Sequence, residues 1–85
     1  MFDYKLVENN LNQALLFLSE VLSETQIDFI RSYIDSGEWR LALETLCEIL
    51  SEDELPISTK VYELLQEIGT YLGLEETTLE MLTLE

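Results

Sequence analysis

Ser23-Glu-Thr-Gln-Ile-Asp-Phe-Ile-Arg-Ser-Tyr-Ile-Asp-Ser-Gly37-Glu-Trp-Arg-Leu-Ala-Leu-Glu-Thr-Leu-Cys-Glu-Ile-Leu50 decides the fold. Ser23 followed three residues later by Gln26 reads as a capping box, in which the hydroxyl accepts from the Gln26 N–H and the amide reaches back. Ile27, Ile30 and Ile34 then recur at helical spacing. Gly37 stops that helix, because glycine tolerates the left-handed backbone that follows a helix end. A further helix starts at Glu38 or Trp39, with a seam of Trp39, Leu43, Leu46 and Leu50 widened by Ala42 and Ile49. So short a link forces the two helices into an antiparallel or steeply crossed hairpin. It resembles one tetratricopeptide unit, but a solenoid needs about three such units to bury a continuous core.

Outward from the hairpin the pattern stays helical. Val7, Leu11, Leu15, Leu18 and Leu22, with Ala14 beside them, predict a first helix over Tyr4–Leu22. On the other side, Ser51-Glu-Asp-Glu-Leu-Pro-Ile57 reads as the one true loop, with Pro56 pushing Leu55 out of helical geometry. Ser58 caps a helix carrying Val61, Leu64, Leu65, Ile68 and Leu72, and Gly73 ends it. Leu79 and Leu82 allow a short last helix within Glu75–Leu82. No run alternates like a strand. The expectation is one all-α domain over residues 1–85, a bundle of four to five helices. Its core would draw on Leu11, Leu15, Leu18, Ile30, Ile34, Trp39, Leu43, Leu46, Val61, Leu65 and Ile68.

Charge narrows the function. Of 85 residues, 18 are Asp or Glu and 4 are Lys or Arg, a net charge of −14, while 47 % are hydrophobic. That apolar content separates a folded acidic domain from a disordered acidic tail. Histidine is absent and Cys47 stands alone, which excludes zinc fingers, His-based general base catalysis, Cys–His nucleophiles and an internal disulfide. Lys5, Arg31, Arg40 and Lys60 are too few to grip a phosphate backbone directly. There is no basic-then-apolar leader at Met1, and no run of 18 apolar residues. The expectation is a cytoplasmic protein with a basic partner.

The residues that could carry chemistry read better as structure. Asp35-Ser36 resembles the Asp-Ser-Leu of acyl carrier proteins, but here it closes a helix and Gly37 follows. The acids around Asp53 lack the spacing and central glycine of a calcium loop. Glu44 with Glu48, and Glu63 with Glu67, fall on outer helix faces, where no cleft supports acid–base work. Cys47, on the edge of an apolar seam, reads as a small buried hydrophobe. No enzyme activity, metal, cofactor or small-molecule substrate is therefore expected.

The clustering of acids along Glu44–Glu54 is different. Glu48, Glu52, Asp53 and Glu54 crowd a helix C-terminus, where the macrodipole disfavours anions by about 0.3–1 kcal/mol each before screening. Stability alone would place Lys or Arg there. A basic partner explains both the number and the placement, and assigns Asp35, Glu38, Glu44, Glu48, Glu52, Asp53 and Glu54 to an interface. Tyr33 would be its aromatic anchor, with Phe29 at the edge of the core.

Gln26 to Leu50, Leu55-Pro-Ile-Ser58, Tyr62 and Leu72-Gly-Leu74 together resemble the Maf-type immunity protein family (MafI). The similarity covers about Glu24 to Leu74, and Leu72 stands where many relatives have Met. Related immunity proteins protect cells that use contact-dependent growth inhibition. The resemblance implies a cognate toxin with a C-terminal nuclease domain, an EndoU-like ribonuclease being the class most associated with the family. A nuclease carries a basic cleft, which an acidic surface complements. The alternative is a non-catalytic helical adaptor or scaffold that binds a basic protein through the hairpin, and a third reading is a nucleic-acid mimic.

Overall fold

A computed structural model describes residues 3–74, 77–80 and 82–84. Helices α1 (Tyr4–Phe17), α2 (Glu24–Asp35) and α3 (Trp39–Glu52) are followed by strand β1 (Pro56–Ile57), then α4 (Thr59–Leu72), the single turn α5 (Thr77–Glu80) and strand β2 (Thr83–Leu84). The architecture is a small all-α bundle: α1 packs chiefly against α4, and α2 against α3. Glu75, Glu76 and Met81, at the ends of the expected last helix, lie outside the described residues.

Local chemistry fixes the helix ends. Asp3 caps α1, accepting from the Leu6 N–H at 3.4 Å. Ser23 and Gln26 form the full capping box, with bonds of 3.1 and 2.9 Å. Ser58 accepts from the Val61 N–H at 3.2 Å. After α2, the Gly37 N–H donates to the Ile34 carbonyl and the Glu38 N–H to the Tyr33 carbonyl, with Gly37 left-handed at φ 76°. These paired bonds satisfy carbonyls that the helix itself leaves open.

One continuous core runs through the bundle. It joins Val7, Leu11 and Leu15 of α1 to Ile30 and Ile34 of α2, Leu43, Leu46 and Leu50 of α3, and Val61, Leu65 and Ile68 of α4. Leu18 and Leu22 are buried too, but α1 stops at Phe17 rather than Leu22. Leu18 is the cap, and a separate turn closed by the Leu22 N–H on the Leu18 carbonyl carries the chain to Ser23. The four-residue spacing thus survives while the helix axis does not, because the turn keeps both leucines inward as the chain redirects into α2.

Three further expectations need correction. Ser51 and Glu52 belong to α3, not to the loop. Pro56–Ile57 is not loop either: it pairs in parallel with Thr83–Leu84, burying Ile57 completely. Trp39 lies at the edge of the core, partly buried, stacked against Tyr4 with ring centroids 5.9 Å apart.

Candidate functional site: an acidic helix edge

The amphipathic pattern of α3 sorts its side chains. Leu43, Leu46, Cys47 and Leu50 turn into the core, which leaves Arg40, Glu44, Glu48 and Glu52 exposed at successive four-residue steps. Residues spaced by four lie one above another on a helix, so the three glutamates form a continuous anionic edge. Arg40 answers only the first: its Nε stands 3.2 Å from a Glu44 carboxylate oxygen, both side chains being well exposed. An exposed pair of this kind contributes little stability and exchanges readily for another partner.

Beyond Glu52 the edge continues through Asp53 and Glu54, both exposed. Glu54 is left-handed at φ 51°. Its N–H donates to the Ser51 carbonyl, and the Leu55 N–H donates to the Leu50 carbonyl. This is the arrangement found at Gly37, with a glutamate where glycine would be relaxed. The backbone therefore fixes the direction in which the Glu54 side chain leaves the helix end, at a steric cost of about 1–2 kcal/mol.

At the other end of α3 the structure brings Glu38 and Glu44 together. Both line an open concavity of about 390 Å³ whose walls include Trp39, Leu41 and Leu72. Glu38 precedes α3 without capping it by a side-chain bond. Asp35 is exposed at the end of α2. Tyr33 is half buried against the core, edge-on to Phe29 with ring centroids 5.1 Å apart. Phe29, expected at the edge of the core, is the more exposed member of that pair, while Tyr33 stays partly exposed. Sequence reasoning missed Trp39 and Leu41 as concavity walls. The signal for Leu41 was available, since Leu41, Ala42 and Leu43 in succession exceed what one helix face can bury.

Cys47 is buried, and its thiol is pushed up to about 12, first by desolvation and then by the charge of Glu44. It is held as a neutral thiol, not as a nucleophile. Among the described residues no group of three carboxylate or thiol side chains is placed to hold a metal ion, and no helix is long and apolar enough to cross a membrane. No family model, curated protein or solved structure matches the chain.

Proposed function

We propose that this chain is a MafI-type immunity protein that neutralises a cognate nuclease toxin, an EndoU-like ribonuclease in the first instance, by covering its basic substrate cleft. The observation that carries the reading is the edge Glu44–Glu48–Glu52, continued by Asp53 and Glu54, exposed together and answered by one arginine. Four of those five acids have no cation of their own among the ion pairs of the described residues, and a phosphate-binding cleft would supply several. The role asks for no chemistry: the protein binds, excludes RNA from the toxin, and acts in the cytoplasm, where that RNA is.

Binding of this kind divides labour between charge and contact. Long-range attraction raises the association rate, and close ion pairs with an apolar anchor slow release. The test is co-expression with the toxin domain encoded next to this chain, reading growth and RNA integrity. Protection by the wild type, lost in the folded triple variant Glu44→Lys, Glu48→Lys, Asp53→Lys, is the expected result. Equal protection by both proteins rejects the acidic edge. Failure to protect, or to inhibit the purified toxin, rejects the immunity reading itself.

A further inference from the structure

A second unusual surface lies away from α3. Leu16 is 69 % exposed, Phe17 55 % and Val21 45 %, all within six residues at the end of α1 and in the turn that follows. Single exposed apolar residues are common, but three large ones this close together mark a contact surface. The sequence explains their exposure: Ala14-Leu-Leu-Phe-Leu18 is apolar at five consecutive positions, and Ala14, Leu15 and Leu18 take the core. The surroundings are anionic. Glu20 lies between Phe17 and Val21, Glu24 opens α2, both are exposed, and no residue from 6 to 30 is Lys or Arg.

We infer that the end of α1 is a docking surface for a basic protein partner, whose apolar side chains cover Leu16, Phe17 and Val21 while its Lys or Arg residues meet Glu20 and Glu24. A second copy of this chain fits poorly. In a two-fold dimer the patch meets itself, so Glu20 and Glu24 would face their own copies between molecules that each carry −14. A partner with an apolar centre and a cationic rim satisfies both features at once. Phe17 is the natural anchor, since binding energy concentrates in a few aromatic or Arg contacts. The inference takes only the basic character of the partner from the function proposed above.

The test uses two synthetic helical peptides of equal positive charge, one with a leucine face opposite its lysines and one with serine in place of every leucine. Binding to the whole chain is read by fluorescence anisotropy at about 150 mM salt, where non-specific attraction is screened beyond about 8 Å. The wild type should prefer the leucine peptide by about tenfold or more, a difference of 1.4 kcal/mol or more. The charge-neutral double variant Leu16→Ser, Phe17→Ser, shown folded by circular dichroism, should lose that preference, and Leu84→Ser, at an exposed leucine of β2, should keep it. Equal preference in wild type and double variant overturns the inference, as does a wild-type dimer in sedimentation that the double variant dissolves. Peptide discrimination without toxin neutralisation rejects the immunity reading and leaves this surface standing. Full toxin affinity in the double variant does the reverse.

Discussion

Glu54 is where a single residue departs most clearly from its preferred conformation. Helices α2, α3 and α4 all end in the same pair of backbone bonds, and the left-handed position is Gly37, Glu54 and Gly73 in turn. Glu54→Gly should stabilise the isolated domain by about 0.5–1 kcal/mol, the relieved strain being partly offset by the greater freedom of an unfolded glycine. Urea denaturation beside Glu54→Gln separates strain from charge. If the two variants match, no strain is stored there. The glycines at 37 and 73 announced their conformation by identity, whereas a glutamate carries no such mark, so this feature was invisible in the sequence. Cys47 supplies a second prediction. Its ionisation is raised from 9.0 to about 12 in the folded state. The unfolded thiol therefore loses its proton first as pH rises, and stability contributed by the neutral thiol is complete below pH 9 and falls between 9 and 12. The slope approaches about 1.4 kcal/mol per pH unit. Subtracting the profile of Cys47→Ala isolates the contribution of the thiol. A difference that stays flat across that window would contradict the assignment.

At the scale of the element, the acidic edge of α3 sets stability against the binding proposed for it. Its last turn carries no basic residue, and neither does the last turn of α1, α2 or α4. Glu52→Lys should raise stability by about 0.3–1 kcal/mol through the macrodipole. The same change should weaken toxin binding, so calorimetry of folding and of binding should move in opposite directions. On the buried side of α3, Leu43→Ala should cost about 2–5 kcal/mol, a large share of what so small a domain has, and a urea titration would show it. The apolar periodicity of α2, α3 and α4 made these helices legible from local sequence, because caps and seam lie within a few residues of one another. The β1–β2 pair was not legible. Ile57 and Leu84 meet across α4 and α5, and two residues are too few to show alternation. The end of α1 misled for a related reason: a tight turn can bury residues four apart as well as a helix does.

For the whole molecule, charge is the governing quantity. The acids of the candidate interface were all legible and all are exposed, because glutamate on a core-facing helix position would cost far more than it could return. The accompanying apolar residues were harder to read. Trp39 and Leu41 wall the concavity beside Glu38 and Glu44, which sequence spacing did not show, since tertiary packing decides which apolar side chains stay open. With a net charge of −14, raising ionic strength from about 0.01 to 0.15 M should shorten the Debye length from about 30 to 8 Å. The isolated protein should melt at a higher temperature as its self-repulsion is screened, while its association rate with the proposed basic partner falls. Opposite responses to one variable are the signature to look for in melting curves and stopped-flow traces.

The pairing of α1 with α4 has a consequence for synthesis. Helix α1 leaves the ribosome before α4, which gives it most of its cover, so Val7, Leu11 and Leu15 wait in water until α4 is made. The hairpin of α2 and α3 can close in that interval from local contacts, but α1 stays an apolar strip with nothing to lie on. Nascent chains crowded on one messenger would then be able to stick to each other through that strip. Mutual repulsion between such acidic neighbours opposes this, so the surface charge that suits a basic partner would also act as the molecule's own chaperone while it is unfinished.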